Sequence, residues 1–598
     1  MTTGGKPSCD GIDVSEGRLG FPKRVTASTV SGRAWFARAW LHILNFNHDA
    51  ALVCFKSCTE VDPECAMGFW GIAFAGSSNY NCPPGLANGF DPIQRALTMV
   101  RAEEGSNYTE LERDLIEALA TRSSAESKAA VDPANFYFGY TPDLNQSFAD
   151  AMAKLYEKYA DDVDVAALYA EALVVLNPWA MWVKQAEPPG EIVPANGDTL
   201  VAKGVLERAM ELPEGMEHPA ILHLYCHLME LSNDPVAAMP AADVLRDSFP
   251  HSGHLSHMAS HIDVWAGHYK EALDANIAAL IADRATVEYT GMDDCFYKGY
   301  RIHNVHMAIW VAMFTGQADI AIKAARQLED MLPPGDSTRR ATAQQFNPML
   351  IGGRLRPGIQ YVHEGFPMGS TWEPYCIMKW HVMIRFGLWD DILAEPRTED
   401  PKLYPTALAT GHYARGIAFA SKGLVVQAEE EQAMYLEGMK NPALEPLKLH
   451  NNFIMSKEEP CLFKVGEAML AGEIEYRKGN FDTAFETLRK AVRLDTGLAY
   501  DEPWGWMVPS RHALGALLLE QEHVQEATQV FRDDLKMYPS NMWGLLGLRQ
   551  CLDKAGKGGD PEAIEVNERY EKASSWATKK PPTTCFCANA AGAPPPKT

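Results

Sequence analysis

Residues Gly479 to Asp495 read GNFDTAFETLRKAVRLD, and this stretch decides the fold. It opens on a Gly-Asn turn, sets an aromatic at Phe481 and a small residue at Ala484, then carries apolar side chains at helical spacing. Gly and Asn suit a tight turn between antiparallel helices, and Ala lets two helices approach closely. Glu522 to Leu548 (EHVQEATQVFRDDLKMYPSNMWGLLGL) repeats the scheme and adds Pro539, which ends one helix before the next begins. Gly267 to Asp283 (GHYKEALDANIAALIAD) and Phe46 to Ala73 (FNHDAALVCFKSCTEVDPECAMGFWGIA) follow it, the latter with Pro63. One helix pair of this kind leaves an apolar face uncovered, so pairs must stack.

Outward from these stretches, helical periodicity recurs along most of the chain, broken by Gly, Pro, Asn or Asp. Alternating β-branched runs are few. The expectation is an all-α superhelix of stacked helix pairs (an α-α solenoid), above about 65% helix and without an extended sheet. At Gly479, Phe481 and Ala484, and at Ala527, Phe531 and Pro539, the pattern resembles tetratricopeptide repeats. Boundaries are expected as a flexible segment over 1–30, a helical-repeat domain over 31–575, and a disordered tail over 576–598. A Gly- and Pro-rich inserted loop is expected at about 333–374.

The 598 residues are 46% hydrophobic and carry a formal charge of −24 with a pI near 5.2. An acidic surface of this size disfavours nucleic acid and anionic membrane. Residues 1–30 lack an apolar h-region, and no run of about 18 apolar residues occurs. A cytoplasmic protein is expected. Twelve Cys fall far below the density of a disulfide scaffold, and Cys54, Cys226 and Cys551 sit inside helical patterns as buried thiols.

Ten of the eighteen histidines lie between His218 and His306. His223 and His227 stand four apart in HPAILHLYCHLMELS, with Glu230 three further on, so all three share one helical face. His254, His257 and His261 share a second face in GHLSHMASHI, and His303 and His306 a third in HNVH. Imidazoles one turn apart can reach a single ion, and neutral nitrogen ligands suit copper, zinc or iron. The expectation is one buried site holding a transition metal, copper ahead of iron or zinc. Seven imidazoles exceed the needs of one ion, so two metals are conceivable. The bland alternative is a set of packed polar residues bonded to backbone or to each other. Glu230 would be a ligand, an imidazole partner or a general base. Tyr297 and Tyr300, just before His303, would contact a substrate. His218 and His251 sit at expected helix starts, His268 in a turn, and Cys226 points off the His face.

Two further constellations point to a ligand. Tyr500 to His512 (YDEPWGWMVPSRH) gathers Asp501, Glu502, Trp504, Trp506, Arg511 and His512 in a connection longer than a repeat turn needs. It is expected at the mouth of the concave face, near the histidines. His412 and Arg415 stand one turn apart in HYARG and could line the same face. Cys585 and Cys587 form Cys-Phe-Cys in the tail, with disorder or a soft-metal contact as alternatives. No phosphate-binding loop, dinucleotide fingerprint, zinc-protease helix or nucleophile elbow stands in a fitting context.

The stretches 46–73, 218–227, 253–262, 303–306, 412–416 and 500–521 together resemble a group of large tetratricopeptide-repeat proteins with His-rich inner motifs. The resemblance implies an all-α repeat fold with these motifs facing inward. The residues themselves point to a metal-dependent oxidoreductase acting on a small organic molecule. The alternatives are a scaffold binding a peptide or protein partner in its groove, and a metal-storage or trafficking protein.

Overall fold

A computed structural model describes residues 20–81, 89–102, 107–124, 142–184, 191–293, 295–332, 373–396, 404–445, 447–458, 460–578 and 580–588. Among these are 25 α-helices and two short hairpins, Trp182–Lys184 with Ile192–Pro194 and Lys448–Leu449 with Asn452–Phe453. The expected all-α helical-repeat fold is what the chain adopts, at about 71% helix among the described residues. No helix among the described residues is long and apolar enough to cross a membrane.

The helices divide into two compact units. Of the described residues, unit 1 takes those within 20–262 and 277–301, and unit 2 those within 263–276, 302–332 and 373–588. The single expected domain over 31–575 is therefore two bodies, each with its own core.

In unit 1, Val30–Leu44 pairs with His48–Val61, which packs in turn on Ala66–Gly76. Thr29 and Asn47 cap the first two helices by accepting from Gly32 and Ala50 backbone N–H groups. Phe55 fills the contact with the third helix so closely that a Cβ on Gly71 would stand 2.3 Å from its ring. Phe21–Arg24 is a short helix, and Phe21 packs on Phe36, Trp40 and Trp70. The expected flexibility of 1–30 thus fails from residue 20 onward, because an aromatic side chain anchors it; residues 1–19 lie outside the described set.

In unit 2 the pairs are Pro405–Ser421 with Val425–Gly438, Leu462–Arg477 with Phe481–Thr496, Ser510–Glu520 with Val524–Met537, and Met542–Lys554 with Pro561–Ala573. Gly479 turns the second pair at φ +80°, a conformation in which other side chains are strained. Phe531 is gripped by two glycines: a Cβ on Gly515 or Gly547 would lie 2.4 or 2.3 Å from its ring. The small residues of the pattern therefore make room for the large ones.

The inserted loop falls outside the described residues over 333–372, and Glu373 and Pro374 begin a 3-10 helix, Glu373–Ile377. The disorder expected from residue 576 does not extend over 580–588. Thr583, Thr584, Cys587 and Ala588 are buried, and the Cys585 and Cys587 sulfurs are joined. Hydrogen bonds to the backbone carbonyls of this segment hold it: Gln550 bonds Pro582, Arg385 bonds Thr584, and Arg477 bonds Cys587.

Candidate metal centre

Two neighbouring helices of unit 1 build the site. Pro219–Met229 begins with Pro219 in its first turn, and His218 caps it by accepting from the Ile221 N–H. His218 also meets Asp164 at 3.0 Å, so it is a cap and not part of the cluster. His223 and His227 face inward one turn apart, 1% and 2% exposed. Gly253–Ala266 supplies His254, His257 and His261, all buried. Glu230, fully buried at the end of the first helix, lies between the two sets.

The carboxylate fixes proton positions. His227 donates its Nδ1–H to Glu230 Oε1 at 2.8 Å, and His261 donates its Nδ1–H to Oε2 at 2.5 Å. Each imidazole then carries its lone pair on Nε2, the form that ligates metal. The Leu44 carbonyl holds His223 in a similar way. His223 Nε2 lies 3.0 Å from His254 Nε2. An ion bonded to both at about 2.0–2.1 Å would see them at roughly 95°, an ordinary coordination angle. His257 Nε2 meets His261 Nε2 at 2.6 Å; with the His261 proton given to Glu230, His257 is the donor of this pair.

Ligand atoms of His223, His227 and His254 lie within 4.8 Å of one another, as do those of His227, Glu230 and His261. Burial, followed by the charge a neighbouring histidine would carry, holds His223 and His254 well below the usual imidazole range, so both are neutral at pH 7. His254 Nδ1 has no hydrogen-bond partner.

Aromatic rings close the cluster. Phe46 lies 4.3 Å from His223 and stacks on His227 and His254, Tyr80 sits 4.8 Å from His227, and Tyr300 sits 4.7 Å from His254. A recess reaches His223, walled by Trp40, Phe46, Phe74 and Leu168 with His48 and Glu171 among its polar positions.

Tyr297 is placed otherwise than expected. Its hydroxyl donates to Asp283 and accepts from Asn45 Nδ2 and the His254 backbone N–H, so it anchors the start of Gly253–Ala266 and has no hydroxyl to spare for a substrate. Glu230 has both oxygens on imidazole N–H groups and so fixes which nitrogen of each ring carries the proton.

His303 and His306 belong to unit 2. There both rings lie against His450, at 5.1 and 5.7 Å, and His306 Nε2 meets Met507 Sδ at 3.2 Å. His450 is backed by Asp501 at 3.0 Å, and Asn452 holds the second oxygen of that carboxylate. The 500–512 loop is packed in unit 2. Trp504 stacks among Trp265, Trp310 and Tyr538, and Glu502 is buried. Trp506 and His512 line a second recess with His381 and Arg385. Arg511 bonds Thr496 and lies against Met537, away from that recess. His412 and Arg415 both bind Glu431, tying two helices together in place of lining a groove.

Phe46, Tyr80 and the Leu44 carbonyl gave no signal as site elements in the sequence. His450 and His381 are isolated histidines, and Met507 is one Met of 25. Only folding brings them to the clusters.

Comparison with known proteins bears on the fold. A tetratricopeptide-repeat family matches residues 32–65, which fall in the pair Val30–Leu44 and His48–Val61. No curated protein matches the chain in sequence. Solved structures with a similar run of helices include the APC/C hetero-tetramer Cut9-Hcn1, 13% identical over 92% of this chain and 96% of that one, with a TM-score of 0.26. The human IFIT1 dimer with m7Gppp-AAAA is 11% identical over 93% and 92%, at 0.24. Naa15/Naa10 bound to HypK-THB is 12% identical over 92% and 72%, at 0.19. At these scores the likeness adds nothing to the reading of the site. The stacked helix pairs make this a helical-repeat fold, and residues 32–65 within it match one tetratricopeptide repeat.

Proposed function

We propose that this repeat protein binds a transition-metal ion in unit 1, through His223, His227, His254 and His261, with His257 beside them. The observation that carries the reading is Glu230, whose two oxygens take the Nδ1–H of His227 and His261 and turn both Nε2 lone pairs to ligand duty. An all-imidazole donor set suits copper, iron or zinc and disfavours calcium and magnesium. Copper or iron would supply one-electron chemistry there, and an aromatic-walled recess reaches His223. The protein is then a metal-dependent oxidoreductase acting on a small organic molecule. Phe46 and Tyr80 keep water from the imidazoles, and Tyr300 flanks His254.

Elemental analysis tests this. Chain purified after exposure to copper, iron and zinc salts is expected to retain at least one equivalent after dialysis, and the His227→Ala, His261→Ala double variant is expected to retain none. Protein that stays metal-free defeats the reading.

A different observation favours a second reading, a scaffold for a peptide or protein partner. Unit 2 already holds a bent segment, its own residues 582–588, by side-chain bonds to main-chain carbonyls. That mode of holding is largely independent of the peptide's side chains. A chain ending at residue 579 is expected to capture a synthetic peptide of residues 580–590 in trans. No binding by that chain would remove the support.

A further inference from the structure

Unit 2 contains a recess whose wall includes Arg385, His381, His512, Tyr413, Trp506 and Ile417. Thr584 to Cys587 also line it. Arg385 is 4% exposed. Its guanidinium lies 3.3 Å from the Trp543 ring centroid and gives one N–H to the Thr584 carbonyl at 3.3 Å. Its Nη2 has no hydrogen-bond partner. Asp534 is the carboxylate whose charge acts on it; its Oδ2 is engaged by His512 Nε2 at 2.9 Å and Asn541 Nδ2 at 3.0 Å, and its Oδ1 has no hydrogen-bond partner. No ion pair within 4.0 Å joins Asp534 to Arg385 among the described residues.

A guanidinium cannot shed its charge, so burying one with an open donor is unfavourable until an acceptor meets it. Two more polar atoms at this recess lack partners, His381 Nε2 and His512 Nδ1. The tautomer of His512 follows from Asp534: Nε2–H donates to the carboxylate, so Nδ1 holds a lone pair and accepts. The recess thus offers a cationic donor, a neutral acceptor and aromatic walls at Trp506 and Tyr413.

We infer that this recess binds a small organic monocarboxylate that bears a hydroxyl or amino donor on the adjacent carbon and an apolar or aromatic body. The carboxylate takes the open N–H of Arg385. The adjacent donor gives its proton to His512 Nδ1. The body lies on Trp506 and Tyr413. A neutral ligand would leave the guanidinium uncompensated, and a dianion such as a phosphate monoester would bring one charge more than the guanidinium matches. Nothing in this inference uses the histidines of unit 1.

The test is calorimetric titration of the full-length chain with sodium mandelate, which carries the carboxylate, the hydroxyl and the ring. Sub-millimolar binding is expected. Phenylacetate, which lacks the hydroxyl, should bind several-fold more weakly, and benzyl alcohol, which lacks the carboxylate, should give no saturable heat. Arg385→Gln should weaken mandelate at least about tenfold. Because loss of Arg385 also disturbs packing on Trp543, Ile417→Trp serves as a second variant that keeps the guanidinium and fills the recess; it should abolish binding with its helical spectrum intact. The inference is overturned if mandelate gives only the heat of sodium chloride, or if both variants bind it as the natural chain does. Equal affinity for mandelate and phenylacetate would overturn the pairing with His512.

Discussion

His227 and His261, on two different helices, share one carboxylate: Glu230 accepts the Nδ1–H of the first at 2.8 Å and of the second at 2.5 Å. Glu230→Gln breaks that symmetry, because an amide has one acceptor oxygen and one NH2 donor. One of the two imidazoles must then move its proton to Nε2 and lose the ligand lone pair. Metal affinity is expected to fall by about 10–100-fold, with the helical spectrum unchanged. Competition with a coloured chelator measures it, and an unchanged affinity would contradict the ligand assignment.

The two ends of the cluster should differ. His227 belongs to both ligand groups of unit 1, whereas His257 meets the cluster as a donor to His261. His227→Ala is expected to abolish metal retention, and His257→Ala to reduce it while leaving measurable loading. Metal content per chain, read with the helical spectrum of each variant, decides it; the reverse ranking would move the centre toward His257.

Much of this was legible in the residues. Gly479, Phe481 and Ala484 announce a helix pair because turn, ring and small residue each answer a separate steric demand. The spacing of His223, His227, His254 and His261 gives shared faces because helical geometry is local. Partners from distant chain are another matter. Phe46 stands 177 positions before His223, and nothing at either position records the meeting. His303 and Tyr300 are one turn apart, yet the division into units falls between them. The tail misled for a related reason: Pro, Thr and Ala suggest disorder by composition, but Arg385, Arg477 and Gln550 bind its backbone, which composition does not register.

The repeat core makes a prediction of its own. Phe531 lies between Gly515 and Gly547 with no room for a side chain at either. Phe531→Ala removes a fully buried ring and is expected to cost about 3–5 kcal/mol. Gly547→Val forces the ring aside and is expected to cost about 1–3 kcal/mol or more. Urea unfolding followed by circular dichroism reads both. A change below about 0.5 kcal/mol in either would show that this contact is not tight.

Buried histidines should also set an acid limit on the metal-free chain. Burial holds His381 and His48 at about 4, below their ordinary value of 6.5. Between those values the unfolded chain binds a proton at each position and the folded chain does not. Stability contributed by these imidazoles is therefore present above about pH 6.5 and lost as pH falls toward 4. Asp49 and Asp495, pushed up to about 6 by burial, and Glu373, pushed up to about 7, act in the opposite sense. Their folded forms take the proton first, so they lose stability as pH rises. The natural chain sums both trends, and a difference between two chains isolates one. In His381→Gln the acid loss at that position disappears, while the carboxylates are unchanged. The stability gap between the natural chain and the variant is expected to narrow by roughly 2–3 kcal/mol from pH 7 to pH 4.5. Urea midpoints across that range, with metal removed by chelator, measure the gap. A gap that stays constant would mean that His381 takes up its proton over the same pH range in the folded and unfolded chain.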